Sequence, residues 1–164
     1  MKETGEKFKA GEIFVPEMLI AARAMNHALA FLEPKMVKGE VQSKGKVVIG
    51  TVQGDLHDIG KNLVGIMLKG AGYEVIDAGV DVSPEKFLAL AQEHQANMIG
   101  LSALLTTTLG NMKSIIEHVK KEDPNIKIMI GGAPVTDEFA QTIAADGYAS
   151  NAGAAVDVAE KLCA

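Results

Sequence analysis

From Lys46 onward, short apolar runs alternate with longer amphipathic segments. The short runs are bounded by turn residues and are typical of buried strands. They predict five strands, at residues 47–50, 73–77, 98–101, 126–130 and 147–149. The segments between and after them carry apolar residues at helical spacing. They predict five helices, of which four lie at residues 58–71, 83–94, 136–144 and 152–162; the other follows the polar stretch 106–108 and runs to about Lys121.

Strands that alternate with helices favour an α/β fold with one parallel sheet and helices on both faces. For five strands we predict the order 2-1-3-4-5, as in flavodoxin-like (Rossmann-like) folds. In that order the loops after strands one and three face each other. Open α/β sheets bind ligands at this point, so we expect the functional site there.

A separate amphipathic helix precedes the sheet. Pro16 suits its first turn, and Pro34 ends it. We predict that residues 1–14 are irregular, that this helix has no partner helix in the chain, and that residues 35–45 are a linker. The exposed apolar stripe would then favour a homo-oligomer through this helix. The stripe consists of Met18, Leu19, Ala22, Met25, Leu29 and Leu32.

Composition narrows the class of protein. A chain of 164 residues with 48% hydrophobic residues suits one globular domain and a short appendage. A net charge of -5 without a basic block argues against nucleic-acid binding. No apolar run approaches the roughly 20 residues that span a bilayer, and the polar amino terminus is unlike a signal peptide. We therefore expect a cytoplasmic protein without a disulfide, since Cys163 is the single cysteine.

The candidate chemistry lies in the loop after the first strand, within GTVQGDLHDIGKNLVG at residues 50–65. The imidazole of His57 can bind a transition metal, and Asp55 can accept a hydrogen bond from its other ring nitrogen. One histidine makes a poor zinc site. A single protein ligand suits a metal that arrives with its other ligands attached, as in a tetrapyrrole-like cofactor. The alternative is a loop histidine that packs or faces water.

Two features of the neighbouring strand ends allow more than one interpretation. Ser102 is either a structural serine or a hydrogen-bond partner, of the Asp55–His57 pair or of a ligand. As a nucleophile it would need an adjacent base, and the one candidate, His57, is already assigned to the metal. Gly131-Gly132 is a tight turn, or part of a slot where a ligand approaches the backbone. The loop matches neither the phosphate-binding GxxxxGK[ST] pattern nor the dinucleotide-binding GxGxxG pattern.

Three blocks of the sequence together resemble the vitamin B12 (cobamide) binding domains of methionine synthase, corrinoid methyl carriers and B12-dependent mutases. They are DxHxxG at 55–60, SxL at 102–104 and GG at 131–132, with the spacing of that family. The string GDLHDIGKN and the segment 14–29 are most similar to the methyl-carrier branch, whose members carry a four-helix cap. The resemblance therefore divides the chain into a partial helical cap, 1–38, and a cobalamin-binding α/β domain, 45–164.

The resemblance implies a cobalt corrinoid bound "base-off", with the tail base displaced from cobalt and His57 as the lower axial ligand. Asp55 would hold the imidazole, and Ser102 would extend this relay. These three are the candidate catalytic residues, and His57 is the candidate metal ligand. The implied cofactor-binding residues are Gly54, Asp55, Leu56, His57, Asp58, Ile59, Gly60, Ser102, Leu104, Thr106, Gly131, Gly132, Ala133, Tyr148 and Ala152.

The resemblance also implies a function as a methyl carrier that is not catalytic alone. A substrate-specific methyltransferase would methylate the cofactor, a second methyltransferase would remove the methyl group, and a corrinoid-reactivating protein is a further expected partner. One alternative is the B12-binding subunit of an adenosylcobalamin-dependent mutase, against which the cap helix argues. Another is a non-enzymatic cobalamin sensor or storage protein, which would be expected to contain a regulatory domain.

Overall fold

The computed structural model of the chain describes residues 2–32 and 43–163. Within these ranges five strands form one parallel sheet in the order β2-β1-β3-β4-β5, which confirms the predicted flavodoxin-like fold. The strands are β1 (Lys46–Val52), β2 (Glu74–Val82), β3 (Met98–Ser102), β4 (Lys127–Gly131) and β5 (Gly147–Ala149). The predicted linker at 35–45 lies mostly outside the described residues.

Helices cover both faces of this sheet. In chain order they are α1 (Lys2–Lys9), α2 (Val15–Leu32), α3 (Ile59–Gly70), α4 (Pro84–His94), α5 (Leu109–Glu122), α6 (Asp137–Thr142) and α7 (Ala152–Leu162). A 3-10 helix, Thr106–Thr108, leads into α5. Most bounds agree with the predicted ones to within a few residues. β2 is the exception, because it continues to Val82 rather than ending at Asp77.

The core has two layers because side chains of the central strands alternate between the faces of the sheet. From β1, Val48 and Val52 pack with α4 and α5 on one face. Val47 and Ile49 pack with α3 and α7 on the other face. Burial on both faces explains why β1 reads as a nearly continuous apolar run.

The amino-terminal segment departs from prediction. Residues 1–14 were expected to be irregular, but Lys2–Lys9 form α1, which packs against α2 and α7. The expectation that α2 lacks a partner helix is therefore wrong as well, since α2 contacts both α1 and α3. Met18 of α2 is fully buried beside Met67 of α3, with Phe8 of α1 packed against them. α1 was missed because its sequence is mostly polar and tertiary contacts stabilise it.

Among residues 2–32 and 43–163, no helix combines the length and the apolar character that crossing a bilayer demands.

Candidate functional site

The carboxyl ends of β1, β3 and β4 form one edge where the predicted site residues gather. The strand register pairs Thr51 with Ser102, and Ser102 with Gly131. The helix after β1 covers one face of the sheet, and the helix after β3 covers the other. A crevice therefore opens between the two loops, as expected at the reversal point of a doubly wound sheet.

The loop after β1 begins with a β-turn. The backbone N–H of Asp55 donates to the carbonyl of Val52 at 3.1 Å. Gly54, the third residue of the turn, has φ 82°, a conformation that favours glycine. This turn directs the chain back over the end of the sheet and brings the next residues to the crevice.

Two side chains from the scaffold hold the loop by its carbonyl groups. The buried hydroxyl of Thr51 donates to the carbonyl oxygen of His57 at 2.8 Å. The amide of Asn111, on α5, donates to the carbonyl oxygen of Gln53 at 2.6 Å. The loop is thus tied at both of its ends to rigid elements, which limits the positions that the His57 ring can take.

Asp55 and His57 form a close pair at the centre of the loop. Asp55 is fully buried, whereas the His57 side chain is 52% exposed. Nδ1 of the imidazole donates to Oδ1 of Asp55 at 2.7 Å, and the backbone N–H of His57 donates to the same oxygen at 3.0 Å. In the neutral form of the ring, this pairing favours the tautomer with the proton on Nδ1 and the lone pair on Nε2.

The other carboxylate oxygen of Asp55 also accepts hydrogen bonds. Oδ2 accepts from the backbone N–H groups of Leu104 and Leu105 at 2.7 and 3.1 Å. Burial alone would raise the pKa of Asp55, but hydrogen bonds from the His57 backbone and ring and from these two amides outweigh it. They hold the pKa of Asp55 far below its ordinary value, so the carboxylate stays ionised and available to the imidazole.

Thr108, rather than Ser102, supplies the third side chain at Asp55. Its buried Oγ1 lies 3.2 Å from Asp55 Oδ2 and 2.8 Å from the carbonyl oxygen of Leu105, and donates to these acceptors. In the described part of the chain Ser102 forms no hydrogen bond with Asp55 or His57. Sequence reasoning missed Thr108 because only the 3-10 turn brings this residue back beneath the loop.

Two adjoining cavities open beside this pair. The first, of about 350 Å³, lies between the sheet and helices α3 and α7, and we call it the sheet cavity. The second, of about 400 Å³, surrounds His57, and we call it the histidine cavity. Both volumes suit a small-molecule site. Both cavities are lined by Gly60, Ser102, Gly132 and Ala133.

Most of the predicted cofactor-binding residues line these cavities. Gly131 and Ala152 line the sheet cavity. Around His57, the histidine cavity is lined by Leu56, Asp58, Ile59 and Leu104.

Four predicted residues lie outside both cavities. Asp55 is buried beneath the loop, Gly54 lies in the turn and Thr106 lies in the 3-10 helix. Tyr148 packs against the core on the opposite face of the sheet. The alternation of strand side chains points it away from the cavity, and its role in cofactor binding stays a prediction.

The cavities fit a bulky ligand with one axial donor. Apart from its chain neighbours and the nearby backbone of α3, no protein atom lies within 4 Å of the position that a Cβ would take on Gly60, so this glycine leaves open space at the shared wall. In residues 2–32 and 43–163, no three His, Cys, Asp or Glu side chains converge on a common metal position. The site offers one imidazole nitrogen, Nε2 of His57, and this suits a cobalt corrinoid, which brings its other ligands with it.

Comparison with known proteins identifies the family. Residues 45–157 and residues 1–33 each match a family model described as a B12 binding domain. The chain is 47% identical over 163 residues to a corrinoid protein of Desulfitobacterium hafniense (strain Y51), covering 96% of this chain and 76% of that protein. It is 48% identical to dimethylamine corrinoid protein 1 of Methanosarcina acetivorans, covering 100% of this chain and 78% of that protein.

Similarity to a solved structure supports the same family assignment. A chain of the methanol:cobalamin methyltransferase complex from Methanosarcina barkeri has a TM-score of 0.86 and 32% identity, covering 96% of this chain and 61% of that one. The present chain therefore belongs to the B12-binding domain family, among the corrinoid proteins of methyltransferase systems. The resemblance seen in the three sequence blocks is confirmed, and the cofactor is a cobalt corrinoid.

Proposed function

We propose that this chain is a methyl carrier that binds a cobamide base-off, with His57 as the lower axial ligand of cobalt. The Asp55–His57 pair carries the proposal, because it presents one oriented imidazole in the histidine cavity, which shares part of its wall with the sheet cavity. The corrinoid, when bound, supplies the chemistry by accepting a methyl group from one partner enzyme and giving it to another. The protein binds, orients and tunes the cofactor.

In this proposal Asp55 sets the protonation of the ligand. A carboxylate that accepts from Nδ1 keeps the proton there, so Nε2 faces the metal with its lone pair. The carboxylate cannot turn away easily, since Leu104 and Leu105 donate to its second oxygen. The resulting imidazole is both correctly protonated and fixed in direction.

The apolar surface around His57 supports a flat cofactor at this position. Leu56 and Ile59 are 71% and 82% exposed, and Leu104 is 44% exposed. Large apolar side chains grouped at a crevice are unusual for a surface that only meets water, and they mark a ligand-binding site. Burial of these side chains under a corrin ring would contribute to affinity for the cofactor.

The sheet cavity would hold the displaced nucleotide tail. It is lined largely by glycine, alanine and small polar residues, and shares part of its wall with the histidine cavity. Gly60 lines both cavities and places no side chain between them, so we propose that the ligand spans the two cavities here. We propose that residues 45–164 form this cobalamin-binding domain and that residues 1–38 act as a partial cap.

The proposed partners are two methyltransferases. The solved methanol:cobalamin methyltransferase complex supports a substrate-specific enzyme as the first partner, because one of its chains shares the present fold. A second methyltransferase would accept the methyl group, and a reactivating protein would restore an oxidised cofactor. The names of the relatives include both dimethylamine and methanol, so we assign no donor within the methylated amines and alcohols.

Equilibrium binding tests the cofactor site. We expect the cofactor-free protein to bind cobalamin more tightly than cobinamide, which lacks the nucleotide tail. We expect His57→Ala to bind cobalamin more weakly, whereas His94→Ala, at the far end of α4, should bind like the wild-type protein. Equal affinity for cobalamin and cobinamide would contradict a role of the sheet cavity in holding the tail.

Methyl transfer tests the carrier function. The reduced holoprotein would be mixed with methyltransferases specific for methylamine, dimethylamine or methanol, each with its own substrate, and methyl–cobalt formation followed by absorbance. One of these pairs should methylate the holoprotein, and a thiol-specific methyltransferase should then reverse the change. Cobalamin binding without methylation by any of the pairs would count against the proposed donors.

A further inference from the structure

The loop that carries His57 is also held from the neighbouring strand β2. Asp81 lies near the end of this strand and forms two hydrogen bonds with the β-turn that precedes His57. We infer that Asp81 is a positioning residue: by holding Asp55 in place, it fixes the orientation of the His57 ring. The inference rests on the proposed function, since it concerns how accurately the axial ligand is placed.

The two hydrogen bonds run in opposite directions and join the same short segments. The backbone N–H of Gly54 donates to Oδ1 of Asp81 at 2.7 Å. The backbone N–H of Asp81 donates to the carbonyl oxygen of Asp55 at 3.1 Å. A carboxylate acceptor makes the first bond charge-assisted and therefore strong. Together these bonds fix the backbone at the residue whose side chain holds the imidazole.

The backbone of Asp81 is adapted to this contact. Its φ is 51°, in the left-handed region that non-glycine residues rarely adopt. Among the described residues other than glycine, only Gln95 and Ala144 share this feature, and both follow the end of a helix. Aspartate tolerates the conformation better than most residues do, but such strain persists only where surrounding contacts maintain it.

A strand irregularity brings Asp81 to the turn. Gly50 of β1 pairs with Gly79 of β2, whereas Val52 pairs with Val82, so β2 contains one residue more than β1 over this stretch. An extra residue in one strand is a β-bulge, which bends the strand and redirects a side chain. Here the bulge places Asp81 over the turn instead of leaving it in the regular ladder.

Asp81 acts on His57 indirectly, through Asp55. Asp81 holds the backbone of Asp55, and the carboxylate of Asp55 holds the ring of His57. No hydrogen bond joins Asp81 directly to His57 in the described part of the chain. Removing the Asp81 side chain would free the Gly54 amide, and the turn could then shift with Asp55 attached to it.

Three variants separate the side chain from the backbone strain. Asp81→Gly removes the acceptor but accommodates the positive φ. Asp81→Asn keeps an oxygen acceptor at the same position. Gln95→Gly is the matched control, because it relieves the same backbone conformation at the carboxyl end of α4, far from the loop.

The readout is electron paramagnetic resonance of the cobalt(II) holoprotein, loaded with a cobamide whose tail base contains nitrogen-15. Splitting by nitrogen-14 reports His57 on cobalt. Asp81→Gly should lower the ratio of histidine-ligated to unligated cobalt by about tenfold, as expected for loss of one charge-assisted hydrogen bond. Gln95→Gly should give the wild-type ratio, and Asp81→Asn, which keeps the acceptor without its charge, should lower the ratio less than Asp81→Gly does. Asp81→Gly should unfold within a few degrees of Gln95→Gly.

Hydrogen exchange provides a second readout in the cofactor-free protein. Exchange of the Gly54 amide should become about tenfold faster in Asp81→Gly and stay unchanged in Gln95→Gly.

A wild-type ratio of ligated cobalt in Asp81→Gly would overturn the inference while leaving the proposed function intact. Failure of Asp81→Gly to fold would also overturn it, by assigning Asp81 to the fold. Absence of the nitrogen-14 splitting in the wild-type protein would overturn the proposed function and this inference together.

Discussion

Gly132, at the junction of the two cavities, provides a sharp test of the local structure. Its φ is 132°, within the range that favours glycine. A Cβ added here would lie 1.9 Å from the carbonyl oxygen of Ala103 and 2.9 Å from its carbonyl carbon. Both atoms belong to the backbone at the end of β3, so they cannot swing aside as a side chain could. Gly132→Ala must therefore displace one of two neighbouring strand ends.

The expected cost of Gly132→Ala has two parts. The forced backbone conformation costs on the order of 1–3 kcal/mol, and overpacking against a rigid neighbour costs on the order of another 1–3 kcal/mol. A total of about 4 kcal/mol is a large share of the roughly 5–15 kcal/mol that stabilises a domain. At roughly 2–4 °C per kcal/mol for a chain of this size, the melting temperature should fall by about 8–16 °C.

Thermal unfolding followed by circular dichroism measures this effect. Gly110→Ala is the matched control, because its Cβ position in the first turn of α5 has no atom within 4 Å apart from its chain neighbours and the nearby backbone of that helix. That variant should be as stable as the wild-type protein, or more stable by up to about 1 kcal/mol. If Gly132→Ala melts within about 2 °C of the wild-type protein, the close approach of Gly132 to Ala103 is refuted.

Two further stability predictions follow. Although burial opposes it, hydrogen bonding lowers the pKa of Asp55 and of Asp77 in the folded chain. The unfolded state therefore binds more protons, and the free energy of unfolding should fall as the pH drops below about 4. Between pH 7 and pH 3, the free energy of unfolding measured with urea should fall less in Asp55→Asn than in the wild-type protein. An equal fall in both proteins would contradict Asp55 as a source of this pH dependence. Asn151→Ala removes the acceptor that caps α7 at 2.9 Å and should cost about 1 kcal/mol. Asn151→Ser should recover most of that loss, and no difference between the two variants would contradict a capping role.

The parallel sheet was predictable because its apolar runs record burial on two faces. β1 and β3 are almost entirely buried, and each run is short and ends at polar residues. β2 was predicted too short because Gly79 and Asp81 interrupt its apolar pattern where the bulge lies. Sequence periodicity cannot identify a bulge, since the extra residue is defined only by its pairing with the neighbouring strand.

The pairing of Asp55 with His57 was predictable from local spacing alone. Asp55 and His57 are two residues apart in the chain, and the hydrogen bonds that join them are local. Thr108 and Asp81 were not identified because they reach Asp55 from other strands and loops, at long separation in the chain. The position of Tyr148 could not be predicted, because the resemblance indicated its segment of the chain but not the face to which its side chain points.

The central claim is that His57 binds the cobalt of a base-off cobamide. Electron paramagnetic resonance of the wild-type cobalt(II) holoprotein, carrying a nitrogen-15 tail base, tests it most directly. We expect the three-line splitting of one nitrogen-14 ligand, lost in His57→Ala and retained in His94→Ala. Two-line nitrogen-15 splitting in the wild-type protein would show that the tail base stays on cobalt, and would contradict the assignment of His57 as the axial ligand.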